Sequence, residues 1–233
     1  MLQVRNLAAF YGDFQALFGI DFELKQGSIV ALIGSNGAGK STFLKSIAGQ
    51  MSSKSGEIRF NSEEISGLTS DRIVRDGISK VPEGRRLFRS LSVEENLTVG
   101  AFAGRKGRWT VDAIYGLFPQ LKDKRRVPAT ALSGGQQQMV AIGRGLMSNP
   151  DLLMCDEVSL GLSPAVVKDI YKVLPQLRAE NLSLIVVEQD IDAALGVADY
   201  VYCFMHGKVT LHGTPRELTK EMISAAYFGL EAA

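Results

Sequence analysis

The sequence predicts an α/β fold built on a parallel sheet, and three observations carry that prediction. Residues 29–33 (IVALI) form a short continuous apolar run of the kind that makes a strand buried on both faces. That run passes through a glycine-rich turn into a helical pattern over 41–48. Two more apolar runs, 152–155 and 184–187, flank a helical pattern at 165–179. Strand, helix, strand, repeated, calls for parallel pairing with crossover connections.

Taken in order, the chain begins with short strand signals at 2–4 and around 18–24, broken at Lys25-Gln26-Gly27. The strand–turn–helix unit of 29–48 follows. From about 85 to 150 the character changes: β-branched runs become scarce and helical ones appear, among them 111–117 and 134–147. In the second of these, Met139, Ile142, Gly143, Leu146 and Met147 share one helix face, which predicts packing. Gly104-Arg-Lys-Gly-Arg-Trp109 and the basic run 122–126 are expected to be exposed loops. After the last strand–helix–strand passage comes a strand–turn–strand tail containing His206 and His212, both expected at the surface. The sequence shows no internal repeat and no low-complexity tract. The whole of 1–233 is expected to form one domain with a helical insert at roughly 85–150.

Composition sets limits on function. The 233 residues carry 26 Lys+Arg against 25 Asp+Glu, a formal net charge of +1, with 45% hydrophobic and 22% charged residues. Near-neutrality argues against binding nucleic acid by bulk charge, and no nucleic-acid partner is expected. The longest apolar run, 200–205 (YVYCFM), is far short of the roughly 18 residues that a membrane-spanning helix needs. The first residues lack the long apolar core of a secretory signal. Cys155 and Cys203 sit in apolar strand-like contexts and read as buried hydrophobes, not as a disulfide framework.

Gly34, Ser35, Asn36, Gly37, Ala38, Gly39, Lys40 and Ser41, with Thr42 following, complete the pattern G-x-x-x-x-G-K-[ST] between a strand and a helix. Each residue type has a task. The glycines let backbone N–H groups turn inward around an anion, and the helix N-terminus adds partial positive charge. Lys40 is placed to reach the β- and γ-phosphates of a nucleotide, and the Ser41 hydroxyl to ligate Mg2+. The pattern predicts a nucleotide site.

The strand at 152–155 ends in Asp156-Glu157, and acids at the C-terminal end of a parallel strand border the ligand crevice of such sheets. Asp156 is expected to hold Mg2+ through water. Glu157 is expected to orient and deprotonate an attacking water. Further upstream, Leu132-Ser133-Gly134-Gly135-Gln136 sets a hydroxyl and two glycines at a helix start, a second candidate anion site in one chain. A single nucleotide cannot easily use both sites, so the second is expected to touch the γ-phosphate bound by another subunit.

With these motifs in view, the chain resembles the ATP-binding subunits of ABC transporters over nearly its whole length. The resemblance rests on residues 34–41, on LSGGQ at 132–136, on Asp156-Glu157 and on Pro164 in the segment that follows. It implies a RecA-like phosphate-loop core with an N-terminal antiparallel β subdomain and an inserted helical subdomain. Tyr11 matches the aromatic that stacks on adenine in that family; packing under an edge strand is the alternative for this residue. The resemblance further implies ATP and Mg2+, a head-to-tail dimer closing over two ATP molecules, and integral membrane permease subunits as partners. Through the permease it implies an extracytoplasmic solute-binding protein, and for this chain a peripheral place on the cytoplasmic side of the cell membrane.

Two departures narrow the branch. Glu83, in Val-Pro-Glu83-Gly-Arg-Arg, stands where most of the family has glutamine, and Gln189 stands where it has a switch histidine. Together with the Val-Glu-Gln189 segment they resemble the second ATPase of branched-chain amino acid importers, whose partner ATPase is a related but distinct chain; urea, amide or other amino-acid importers are the alternative. A carboxylate at 83 makes sense beside phosphate as a metal or water ligand. Gln189 can donate a neutral hydrogen bond to a γ-phosphate but cannot take up a proton or a positive charge, which leaves Glu157 the dominant hydrolytic group. Val158 replaces the usual proline and puts the rigidity of that turn in question. A non-transport ABC-type ATPase would be expected to bring coiled-coil insertions, zinc modules or fused cassettes, and a GTPase an Asn-Lys-x-Asp signal; none is visible.

Overall fold

The computed structural model describes residues 1–52 and 54–228. The single-domain expectation for 1–233 also covers residues 53 and 229–233, which lie outside the described residues. The elements in chain order are β1 (Leu2–Tyr11), β2 (Phe14–Leu24), β3 (Ile29–Ile33), α1 (Lys40–Ile47), β4 (Lys54–Phe60), β5 (Glu63–Glu64), α2 (Ser70–Arg75) and β6 (Ile78–Val81). They continue with α3 (Val93–Gly100), α4 (Val111–Leu117), α5 (Gly134–Leu146), β7 (Leu152–Asp156), α6 (Pro164–Ala179) and β8 (Ser183–Glu188). The last are α7 (Ile191–Leu195), β9 (Tyr200–Met205), β10 (Lys208–Gly213) and α8 (Lys220–Phe228).

Two sheets organise the chain. The first is antiparallel, with strand order β2-β1-β4-β5; the second runs β10-β9-β3-β8-β7-β6 and is parallel except for the pairing of β10 with β9. The apolar runs at 29–33 and 152–156 are buried at every position, as strands covered on both faces must be. Alternation along them feeds three cores, the third built by Ala31 and Ile33 with Ala194, Val201, Cys203 and Ile223. Val30, Leu32, Met154 and Val187 join α1 and the antiparallel sheet, while Ile29, Leu153, Cys155 and Val186 join α5 and α6 on the other face.

The N-terminal strands are longer than 2–4 and 18–24. Register shifts beside Asn6, whose φ is 47°, break the alternation that marks a strand in sequence, yet pairing resumes as far as Tyr11↔Phe14. This places Tyr11 and Phe14 at one end of the antiparallel sheet. Helix α1 is pinned behind the phosphate loop by Phe43, fully buried between Phe22 (ring centroids 5.0 Å apart) and Phe204 (5.5 Å). Burying such a ring contributes about 2–3 kcal/mol, so the helix start is held from beneath rather than by a cap.

Between β6 and β7 the chain builds α3, α4, α5 and three short 3-10 turns. The segment 104–109 is not simply an exposed loop. Arg105 donates to Asp151 at 2.8 Å and to the Asn149 carbonyl at 3.0 Å, and Trp109 is buried with its N–H on Asn149 Oδ1. The basic run at 122–126 largely continues a 3-10 turn, Pro119–Lys124. Cys155 and Cys203 are buried free thiols, and burial pushes each up to about 12. Among the described residues no helix is long and apolar enough to cross a membrane.

Candidate functional site

The phosphate loop and the acids gather at the C-terminal edge of the parallel sheet, where strand ends leave backbone and side chains facing a crevice. β3 delivers residues 34–40, β7 delivers Asp156 and Glu157, and β8, paired between them, delivers Glu188 and Gln189. A cavity of about 770 Å3 opens there, lined by the loop residues 36–42, by Glu83, Glu157 and Gln189, and by Tyr11 on the far wall.

The loop's shape is set by its own packing and hydrogen bonds. At Gly34 (φ 151°) a Cβ would fall 2.2 Å from the Phe204 carbonyl oxygen, and at Gly39 (φ 105°) 2.9 Å from Leu17. No side chain fits at either place. Lys40, 3% exposed, donates to the carbonyls of Gly34 at 2.6 Å and Ser35 at 2.9 Å, which folds the loop over its own ammonium. Burial lowers the pKa of that lysine, opposed by the nearby carboxylates of Glu157, Asp156 and Glu188. The first turn of α1 has no side-chain cap, so its N–H groups stay available to an anion.

Ser41 Oγ donates to Asp156 Oδ1 at 3.0 Å. Two hard oxygen donors meeting across the cleft suit Mg2+ better than softer metals. Among the described residues no group of three His, Cys, Asp or Glu could hold a metal. A cation held by Ser41 and Asp156 has coordination positions left for phosphate, water or a further oxygen donor at the rim. Glu83 lies exposed on the cavity wall.

Glu157 adopts a left-handed backbone (φ 50°), with its N–H on the Val187 carbonyl at 3.1 Å. One amide links it to the loop: Gln189 Nε2 donates to Glu157 Oε2 at 3.0 Å and to Asn36 Oδ1 at 2.9 Å. Beneath it Glu188, 1% exposed, accepts from Ser159 Oγ. Its Oε1 and the hydroxyl of Tyr171 are both buried without a formed hydrogen bond. Burial raises the Glu188 pKa, against the hydrogen bonds that lower it. Val158 is fully buried in the helical-side core, so its packing fixes the turn that a proline would otherwise stiffen.

Tyr11 does not pack under an edge strand. Its ring is 46% exposed, with the hydroxyl 3.3 Å from Thr42 Oγ1 and the Lys45 ammonium 5.7 Å from the ring centroid. Phe14 (71% exposed) and Phe18 (44%) line the same cavity and were not marked by sequence, because strand aromatics are ordinarily core. His206 lies on this wall as well.

Ser133, Gly134, Gly135 and Gln136 are not brought to this cavity; none of them lines it. They start α5 in a capping box: Ser133 Oγ accepts from the Gln136 N–H at 3.3 Å, and Gln136 Oε1 accepts from the Ser133 N–H at 3.1 Å. A Cβ on Gly135 would strike Val166 at 2.5 Å, so close packing on α6 calls for glycine there. Lys80 is the main residue at the site that sequence reasoning missed; the signal was a charge inside the strand Ile-Ser-Lys-Val.

Comparison with known proteins sets this geometry in a family. The family model described as ABC transporter matches residues 17–159. The chain is 45% identical over 232 residues to the high-affinity branched-chain amino acid transport ATP-binding protein BraG of Pseudomonas aeruginosa, covering 98% of this chain and 100% of that one. It is 28% identical over 253 residues to the corresponding BraF of the same organism, with 98% of each chain covered. Among solved structures it is similar to a dimeric bacterial ABC transporter cassette, with a TM-score of 0.81 and 25% identity over 93% of this chain and 99% of that chain.

Proposed function

The chain belongs to the ABC transporter family as an ATP-hydrolysing cassette, and from that premise we propose that it energises an importer of branched-chain amino acids. The observation that carries the chemistry is the chain of contacts Asn36–Gln189–Glu157 beside the Ser41–Asp156 pair, all at one sheet edge. The 45% identity to BraG, against 28% to BraF, supports the branch and the solute. It also supports a distinct partner ATPase resembling BraF.

In this reading ATP lies along the cavity, its adenine over Tyr11 and its phosphates in the nest of 34–42. Lys40 gives its ammonium to the terminal phosphates, and Ser41 and Asp156, with Glu83 at the rim, hold Mg2+. When bound, Mg2+ neutralises charge developing on the phosphates. Glu157 accepts a proton from the attacking water, and Gln189 fixes the carboxylate while its own amide stays neutral. Ser133 to Gln136 contact the γ-phosphate held by the partner ATPase, which accounts for their distance from this chain's own cavity. The cassette acts as a single domain whose helical insert, near 85–150, faces the permease together with residues 83–90. It works peripherally on the cytoplasmic side, and the solute-binding protein is met only through the permease.

Co-expression with the permease and partner ATPase, followed by reconstitution in vesicles, tests this. ATP turnover stimulated by loaded branched-chain amino acid binding protein is expected. Turnover without any association with an integral membrane partner would defeat the transport reading. Stimulation by a urea-binding protein alone would replace the solute.

A further inference from the structure

Lys80 is a charged residue in a strand whose neighbours Ile78, Ser79 and Val81 are all buried. β6 runs parallel to β7, with Val81 paired to Cys155, and this sets Lys80 beside the acid at the end of β7. Its side chain is 10% exposed, and its ammonium lies 3.2 Å from Asp156 Oδ2, while Asp156 itself is 3% exposed. The other oxygen, Oδ1, accepts from Ser41. Both oxygens of one buried carboxylate are thus engaged, one by a prospective metal ligand and the other by a permanent cation.

Lys40, the other lysine near this carboxylate, satisfies its ammonium on two loop carbonyls. Lys80 is therefore the direct counter-ion of Asp156. A buried carboxylate without a partner is costly, so the pair offsets the burial of Asp156. The ammonium occupies Oδ2, and its positive charge opposes a second cation across the same carboxylate.

We propose that Lys80 is a positioning residue that stands in for the metal's charge at Asp156 and lowers the site's affinity for Mg2+. The cation then binds strongly only when it comes with the phosphates of a nucleotide. The proposal rests on the reading of Ser41 and Asp156 as the metal-holding pair.

The test is the affinity of a non-hydrolysable ATP analogue, measured by calorimetry in EDTA and again in Mg2+. The ratio of the two affinities isolates the metal's share, which a purely structural role would leave unmoved. In K80M that ratio is expected to rise about tenfold, because a like charge near the metal has gone. K80R, which keeps the charge, should retain the wild-type ratio. K80Q, neutral but polar and able to hydrogen-bond Asp156, should behave as K80M and serves if that variant does not fold. An unchanged or smaller ratio in both neutral variants would overturn the proposal. D156N separates the two levels of the argument, since its ratio is expected to fall towards one. A full wild-type ratio in D156N would overturn the metal-site reading and the role of Lys80 with it.

Discussion

Helices α1 and α5 both start in glycine-rich sequence, yet their first turns are finished in opposite ways. α1 opens with no side-chain cap, its free N–H groups facing a cavity in which Lys40 already supplies positive charge. α5 opens with a complete capping box on Ser133 and Gln136, away from that cavity. An uncapped, buried helix start is unsatisfied unless a ligand comes, so the α1 end is built as a binding site within one chain. The α5 end is stable without a ligand, and only the N–H groups of its first residues remain for one. The contrast supports a division in which one end binds and cleaves while the other is borrowed by a partner.

The sharpest way to break that division is to remove the base. Glu157→Gln keeps the shape and the amide contact to Gln189 but cannot accept a proton. Turnover in the assembled transporter is expected to fall about 10^2–10^4-fold while ATP affinity of the single chain stays within about threefold. Gln189→Ala should cost less, since it positions rather than reacts. If Gln189→Ala abolished turnover and Glu157→Gln spared it, the assignment of roles would be reversed.

A second test falls on Glu188, which ties the end of β8 to Ser159 in the segment after the acids. Its folded pKa is raised by burial, so the native state holds the proton more tightly than the unfolded chain. Below the ordinary carboxylate value both states are protonated and nothing is lost. As pH climbs from there through the folded value, stability falls by about 1.4 kcal/mol for each unit separating the two. Glu188→Gln has no such proton, so its urea midpoint should gain on the wild type as pH rises from 4.5 to 8. A gap independent of pH would mean that folding leaves the carboxyl's pKa where it stands in the unfolded chain.

How much of this was legible in the sequence follows from the range of the interactions. The run 29–33, the helix at 111–117 and the loop 34–41 are local patterns with local causes, and they match the structure in place. The antiparallel hairpin was only half visible because a bulge at Asn6 disrupts its alternation. Trp109 was read as exposed because its neighbours are basic; its burial depends on Asn149, forty residues away. Lys80 was invisible as a site residue for the same reason, since only the β6–β7 pairing brings it to Asp156. Local chemistry was readable; counter-ions across strands were not.

The α5 end gives a subtler test. Ser133→Ala removes the cap and is expected to cost about 1 kcal/mol of stability, read as a lower urea midpoint. Nucleotide affinity of the isolated chain should not change. On the proposed trans role of this surface, turnover of the assembled transporter should nevertheless fall with the loss of the hydroxyl. Weakened nucleotide binding by the isolated chain would erase the distinction between the two ends.

The smallest effect is expected at Tyr11, on the open wall of the α1 end. Its ring is half exposed and already offers one face to Lys45. Stacking on a base from such a position is worth about 0.5 kcal/mol, so Tyr11→Ala should weaken ATP about two- to threefold. Tyr11→Phe removes the hydroxyl's contacts with Thr42 and with the Lys45 ammonium, keeps the ring, and should bind as the wild type does. The useful control is the base: affinity for inorganic triphosphate should be the same in all three proteins. If triphosphate weakened in parallel with ATP, the tyrosine would be acting through Thr42, Lys45 and the phosphate nest, and the adenine wall would have to be sought at Phe14 and Phe18 instead.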